Sequence, residues 1–185
     1  MDDTAPLDTA PLDAGDLRAW LDELRAALRG EGDARVPCAG CTACCEASQF
    51  VHVAPDETDA LAHIPRALLF PAPGAPAGHL VMGYDEHGRC PMLRADGCSI
   101  YEHRPRTCRT YDCRVFAATG VVPTGRGQEA IATRAARWRF TVRGADDGRL
   151  LDAMHEQAER LTADDLPAIA RALAAIERTT RGAES

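Results

Sequence analysis

The sequence contains no lysine, few aromatic residues and no long apolar run. All 21 positively charged side chains are arginines, which excludes Schiff-base chemistry on a lysine and a phosphate-binding loop that needs one. Aromatic residues make up 5% of the chain and apolar residues 45%, so alanine supplies much of the apolar content. Because alanine buries little area, we expect a thin core built mainly from helices.

No secretory signal or membrane span is visible in the sequence. No stretch approaches the roughly 18 apolar residues of a membrane span, and the segment that begins at Met1 is acidic rather than cationic. The net charge is −7, which disfavours broad nucleic-acid binding because such binding depends on basic patches. We therefore expect a cytoplasmic protein that binds neither nucleic acid nor membranes. The sequence identifies no protein partner.

What the chain does contain is eight cysteines, all of them within residues 38–113. In the cytoplasm thiols are kept reduced, so thiols at this density favour a metal over a disulfide framework. Adjacent side chains diverge, so Cys44 and Cys45 do not bind one ion comfortably, and Cys44 ranks last among the candidates. The candidate metal ligands are Cys38, Cys41, Cys44, Cys45, Cys90, Cys98, Cys108 and Cys113.

The spacing of the first cysteines fits two kinds of centre. Cys38, Cys41 and Cys44 follow one another at two-residue gaps, and paired ligands of tetrahedral zinc lie about two to four residues apart. The same three match the start of the bacterial ferredoxin run, although Ser48 replaces its fourth cysteine and a Cys-Pro pair occurs only at Cys90. The sequence therefore predicts zinc or an iron–sulfur cluster, possible forms including [4Fe–4S]. The eight thiols could fill two four-ligand sites or surround one cluster.

An arginine-rich segment follows the cysteine pairs. Pro105 suits the first position of a helix, which places Cys108 in the first turn, where the helix dipole favours a thiolate. Arginines nearby would offset the negative charge of a tetrathiolate centre, although a solvated basic helix face and an arginine-lined anion pocket are alternatives. We predict that Arg104, Arg109 and Tyr111 contact the bound group. The histidines lack the spacing of known Cys/His sites and are expected on the surface or around the ligands.

Local patterns predict an α+β fold: a small cysteine-rich metal-binding domain with a short β-hairpin and helices, plus a C-terminal helical extension. The hairpin is predicted from residues 80–84 and 89–93, with Cys90 on its second strand, and Asp96-Gly97 is predicted to form the turn that delivers Cys98. A short strand is expected around residues 50–53, an extended stretch over 137–143, and Thr162 as the cap of the last helix. Helices are predicted over residues 16–29, 55–63, 104–119, 128–138, 149–161 and 164–178.

Three regions follow from these patterns. Residues 1–13 are predicted to be a disordered acidic tail, because they are short, acidic and carry two prolines. Residues 14–120 are predicted to form the cysteine-cluster domain, and residues 121–185 the helical extension. In the first helix the apolar face is expected to consist of Leu17, Trp20, Leu21, Leu24 and Leu28.

The cysteine pattern also resembles a known family. The run C-x2-C-x2-C-C, then Cys90-Pro91, then the stretch from Gly97 to Arg109 with its Ile-Tyr and Arg-Pro pairs, is similar to the YkgJ-type cysteine-cluster family. The resemblance covers residues 36–118 and implies a zinc- or iron-chelating domain. Flagellin lysine methylases contain a similar cluster with a [4Fe–4S] centre, which implies that such a domain can take part in catalysis.

Two classes of function remain on the sequence alone. In the first, the protein binds a thiolate-ligated metal centre with a structural, storage or delivery role. In the second, it is an iron–sulfur enzyme that carries out redox or group-transfer chemistry of the methylase kind. The sequence leaves open whether the chain is an enzyme and assigns no catalytic residue.

Overall fold

The computed structural model describes residues 10–38, 40–125 and 127–182. Within these ranges helices alternate with short strands, which confirms the predicted α+β class. The helices are α1 (Leu17–Leu28), α2 (Thr58–His63), α3 (Arg106–Thr110), α4 (Arg114–Thr119), α5 (Glu129–Ala135), α6 (Ala145–Arg160) and α7 (Ala168–Gly182). The strands are β1 (Leu12–Asp16), β2 (Val51–Val53), β3 (Leu69–Pro71), β4 (Leu80–Met82), β5 (Leu93–Arg94), β6 (Gly97–Cys98) and β7 (Trp138–Thr141). Short 3-10 helices cover Ala43–Glu46, Arg66–Leu68, Tyr101–His103 and Leu161–Asp164.

A parallel strand pair joins the N-terminal part of the described chain to the segment that precedes the last two helices. Strand β1 pairs with β7, and Leu12 lies opposite Trp138. The prediction of disorder over residues 1–13 is therefore wrong for Leu12 and Asp13, because Leu12 packs against the main core. Residues 1–9 of that segment lie outside the described residues. Strand β7 confirms the extended stretch predicted at this place.

Helix α1 forms as its apolar spacing predicts. The Asp16 carboxylate accepts a hydrogen bond from the Ala19 N–H at 3.0 Å, which caps the first turn. The buried face includes Leu17, Trp20, Leu21, Leu24 and Ala27. Leu28 was expected on that face but is 56% exposed, because Ala27, one turn after Leu24, takes the inward position.

Two apolar cores support the structure. The main core brings α1 and α4 together with α5, β7, α6 and α7, so it extends across the predicted boundary at residue 120. The smaller core lies beneath the three-stranded sheet, in which β4 is the central strand between β2 and β3. Its buried members are Val53, Ala60, Ile64, Leu69, Met82, Met92 and Ile100.

The sheet corrects one sequence prediction. Residues 80–84 and 89–93 do not form a hairpin, because β4 pairs with β2 and β3 instead. A tight turn does close residues 85–88, where the Asp85 N–H donates to the Arg89 carbonyl at 2.8 Å. Cys90 is not in a strand. A tight turn does precede Cys98 and joins β5 to β6, but it lies one residue earlier than predicted: Ala95 and Asp96 form it, and Gly97, at φ 121°, is the first residue of β6.

The helices of the second half agree with the predictions apart from their bounds. The segment 104–119 divides into α3 and α4, because Tyr111 is extended between them. Thr162 does not cap the last helix: it lies in the 3-10 helix Leu161–Asp164, and α7 begins at Ala168. In the described part of the chain, no helix has the length and apolar character needed to cross a membrane.

Candidate metal centre

All eight cysteines lie on the wall of one cavity of about 500 Å³. Arg104 and Tyr111 also line it, whereas Arg109 is not part of the wall. The cavity lies between the two apolar cores, since Met82, Met92 and Ile100 of the smaller core and Ile131 of the main core complete its wall. Cysteines up to 75 residues apart in the sequence thus line one cavity, as a shared metal site requires.

The first wall of the cavity is a compact loop that carries four cysteines. The Cys41 N–H donates to the Cys38 carbonyl at 2.8 Å, which closes a turn, and Gly40 in that turn has φ 69°. Cys44 and Cys45 follow on the 3-10 helix Ala43–Glu46, where the Cys45 N–H donates to the Thr42 carbonyl at 2.8 Å. Two successive tight turns therefore present these thiols to the cavity.

The opposite wall is built from three separate elements. The Cys90 N–H donates to the Cys45 carbonyl at 2.6 Å, so the backbone itself joins the two walls. Cys98 is delivered by strand β6. Cys108 lies in α3, and its N–H donates to the Pro105 carbonyl at 2.9 Å, which agrees with the predicted place in the first turn.

The eighth cysteine contacts a residue that the sequence prediction did not assign to the site. Cys113 is buried, and its Sγ accepts a hydrogen bond from the Trp138 indole Nε1–H at 3.2 Å. Arg134 lies beside it: its guanidinium is 5.0 Å from the Trp138 ring centroid and donates to the Pro37 carbonyl at 3.0 Å. The positive charge of Arg134 also acts on the Cys38 thiol. The C-terminal extension therefore contributes to the cysteine site.

Hydrogen bonds among the thiols set apart a group of three. Hydrogen bonding with Cys45 lowers the pKa of the Cys44 thiol to about 7, and it does the same for Cys90. The pKa of Cys45 is raised, because its thiol interacts with Cys44 and Cys90 in its neutral form and its deprotonation would place a further negative charge beside them. Cys44 and Cys45 thus interact with each other rather than diverging completely.

Burial governs the remaining perturbed thiols. Desolvation raises the pKa of Cys38 and of Cys108 to about 12 and that of Cys113 to about 11, and it also raises the pKa of Cys98. Burial disfavours the charged form of a thiol, and the positive charges of Arg134 near Cys38 and of Arg104 near Cys108 offset this only in part. In the metal-free protein these groups are therefore neutral near pH 7, and a metal ion must displace their protons when it binds.

The thiols surround a space rather than a single point. Cys38 is electrostatically coupled to Cys41, Cys44 and Cys113, whereas Cys108 is coupled to Cys44, Cys90 and Cys98. Cys44 is common to both groups. Within residues 10–38, 40–125 and 127–182, no three cysteine sulfurs lie within 4.8 Å of one another. Eight thiols around this space fit a thiolate-ligated metal centre, because thiolates are the ligands that zinc and iron–sulfur clusters take.

The arginines of the 104–114 segment separate into different roles. Arg104 lines the cavity, and its guanidinium lies 3.6 Å from the centroid of the Tyr101 ring. Arg109 donates to the Arg104 carbonyl at 3.0 Å and forms an ion pair with Asp33 at 2.6 Å. The other two pair with acids away from the wall, Arg106 with Asp56 and Arg114 with Asp112.

Tyr111 is the second residue predicted to contact the bound group. It lines the cavity, is hydrogen-bonded to the side chain of Gln49, and has its pKa raised by burial. Neighbouring sulfurs of Cys113 and Cys44 act in the same direction. Tyr111 therefore stays neutral and keeps a hydroxyl beside the thiols.

The comparison with known families agrees with this site. Residues 37–122 match the family model CxxCxxCC, described as "Putative zinc- or iron-chelating domain". The matched segment contains all eight cysteines, and it ends before Arg134 and Trp138. The chain has no match among curated proteins or among solved structures. Residues 37–122 are thus similar to the CxxCxxCC family, whose model describes a zinc- or iron-chelating domain.

Proposed function

We propose that the chain holds a thiolate-ligated centre of several metal atoms, either zinc or an iron–sulfur cluster, which it stores or delivers. The observation that carries the proposal is the placement of eight thiols on the wall of one cavity of about 500 Å³. A single tetrahedral zinc ion takes four thiolates at about 2.3 Å. Eight thiols around this volume offer ligands and room for more than one metal atom.

Access to the cavity favours storage or delivery over a purely structural role. Cys44 is exposed, while Cys113 is buried. A metal held by both kinds of thiol is anchored on the buried side and accessible on the exposed side. The thiols of a partner protein could then replace the ligands of this chain one at a time, so that the metal passes to the partner.

An iron–sulfur enzyme is the second candidate, and the polar residues of the wall favour it. Arg104 and Tyr111 lie beside the sulfurs in the same cavity, where a cation and a neutral hydroxyl could bind an anionic substrate. Arg109 would act through Arg104, because its Nε–H donates to the Arg104 carbonyl while Arg109 itself does not line the cavity. A bound cluster would supply electron transfer or group-transfer chemistry.

Purification under anaerobic conditions, followed by an absorption spectrum and by zinc, iron and sulfide analysis, tests the proposal. Visible absorption with about four irons and four labile sulfides per chain would establish a [4Fe–4S] centre. A colourless chain with two or more zinc ions would establish the zinc form. A chain that purifies with neither metal and takes up neither when supplied would contradict the proposal.

Substitution of Arg104 separates the two candidates. In an Arg104→Gln variant we expect the metal content to remain unchanged under both. Storage or delivery predicts that metal transfer to a thiol acceptor also remains. The enzyme candidate instead predicts that binding of an anionic substrate weakens, which a substrate screen on the iron-loaded protein would measure.

A further inference from the structure

A cluster of two histidines and one aspartate lies outside the cysteine cavity. Asp59, His63 and His103 each present a ligand atom, and the three atoms lie within 4.8 Å of one another. We propose that this cluster is a second metal site, which binds one divalent transition ion through nitrogen and oxygen. The inference goes beyond the proposed function and does not depend on it, because the three residues are not on the wall of the cavity.

The geometry brings the three side chains together from two elements. Asp59 and His63 are four residues apart in α2, which places them on one face of the helix. His103 ends the 3-10 helix Tyr101–His103, and its Nδ1 lies 2.9 Å from the Asp59 carboxylate. The His63 Nδ1 lies 3.6 Å from the same carboxylate. The Asp59 carboxylate thus lies beside both imidazole rings.

Packing in the smaller core and hydrogen bonds to Glu57 hold the backbone that carries these three residues. Ala60 and Ile64 on one element and Ile100 next to the other are buried in the smaller core. The Glu57 carboxylate accepts hydrogen bonds from the Ala54 and Arg106 N–H groups, which ties the start of α2 to α3. The backbone positions of the three candidate ligands therefore need no ordering when an ion binds, which lowers the entropic cost of binding.

The donor set selects the class of ion. Imidazole suits zinc, iron, nickel and copper, and two imidazoles with one carboxylate leave coordination positions open. The His63 and His103 rings are stacked, with centroids 3.5 Å apart and planes at 3°. One ring must turn before both nitrogens face the same ion. Both side chains are 40% exposed, so this rotation breaks no core packing.

Nuclear magnetic resonance of the full chain, labelled in its histidine rings, tests the site at residue level. The chain contains six histidines, so the ring signals can be assigned by single substitutions. Zinc sulfate is added after the cysteine site has been loaded to constant metal content. We expect the His63 and His103 signals to shift together and to reach saturation at one additional ion per chain.

Variants make the test specific. In His103→Ala the shift of the His63 signal should require at least about tenfold more zinc, because the chelate is lost. His87→Ala is the matched control, since His87 is exposed on a loop and its imidazole pairs with the neighbouring Glu86; there the response should be unchanged. The proposal is overturned if His63 and His103 do not shift, or if His103→Ala leaves the His63 response as it was. Unchanged backbone spectra of the variants exclude unfolding as the cause.

Discussion

The indole N–H of Trp138 donates a hydrogen bond to the sulfur of Cys113 at 3.2 Å. Trp138 lies in β7, 25 residues from Cys113 and beyond the segment that matches the family. Both side chains are buried. The bond therefore joins the C-terminal part of the chain to the innermost thiol of the cluster, and it gives that part a role in the metal site.

Loss of this bond should weaken metal retention. We expect Trp138→Phe to keep most of the packing and to remove the donor, which costs about 1.5–3 kcal/mol for a bond to a charged thiolate. Metal affinity should then fall by about tenfold or more. Competition with a chelator, measured on the metal-loaded variant, checks this.

Trp20→Phe is the matched control. Trp20 is equally buried, but its indole donates to Asp112 rather than to a sulfur. The Trp20→Phe substitution should lower the free energy of unfolding, and the metal affinity should remain nearer to that of the original chain. Equal losses of metal affinity in the two variants would show that general destabilisation is responsible.

Arg134 should support the first cysteine loop. Its bond to the Pro37 carbonyl fixes the residue before Cys38, and its charge opposes the rise that burial imposes on the pKa of the Cys38 thiol. Arg134→Met keeps the apolar stem and should reduce zinc affinity several-fold. Arg139→Met is the control, because the hydrogen bonds of Arg139 in the described part of the chain go to the nearby carbonyls of Ala136 and Trp138. An unaltered affinity in Arg134→Met would argue against this role.

Metal retention and stability should fall together in Cys108→Ser. The site and the folded core share walls, so metal binding contributes to the free energy of folding. A loss of about 2 kcal/mol would lower the Tm of a chain of this size by about 4–8 °C. Calorimetry and metal analysis on the same sample measure both. The difference in Tm should vanish once both proteins are stripped of metal, and full metal occupancy at an unchanged Tm would refute the prediction.

Metal binding should release protons in a pH-dependent way. Burial raises the pKa of Cys38 and Cys108 to about 12 and that of Cys113 to about 11, so these thiols are protonated at neutral pH. Each ligating thiol of this kind should lose one proton on binding near pH 8. Zinc affinity should rise with pH up to these pKa values. It should fall further as the pH drops through about 7, where Cys44 and Cys90 also become protonated.

Zinc titration calorimetry in two buffers of different ionisation enthalpy gives the number of protons released. A release close to zero near pH 8 would mean that the ligands are already thiolates or are not cysteines. A titration at several pH values gives the direction of the change in affinity. An affinity that is constant between about pH 6 and 9 would count against thiol ligands.

Local signals in the sequence were enough to find the cysteines and much of the scaffold. Two-residue gaps predicted turns that present Cys38 and Cys41, and the Asp96-Gly97 turn and Pro105 predicted the placement of Cys98 and Cys108. These features succeed because each depends on a few adjacent residues. The same holds for α1, whose apolar spacing is regular.

Contacts between residues that are far apart in the sequence could not be predicted from such local signals. Arg109 was predicted to contact the bound group, but it forms an ion pair with Asp33, 76 residues away, and no local pattern indicates such a pair. The prediction of a hairpin over residues 80–93 was wrong, because β4 pairs with β2 and β3 instead. The apolar spacing around Trp138 indicated a packed side chain, but no local pattern indicated its contact with a cysteine sulfur.

X-ray absorption at the metal edge of the anaerobically purified chain tests the central claim most directly. The account predicts that the bound zinc or iron is surrounded by sulfur, with metal–sulfur distances of about 2.3 Å. The signal should weaken in Cys108→Ser. A first shell of nitrogen and oxygen at about 2.0–2.1 Å, without sulfur, would contradict a thiolate centre in this cavity.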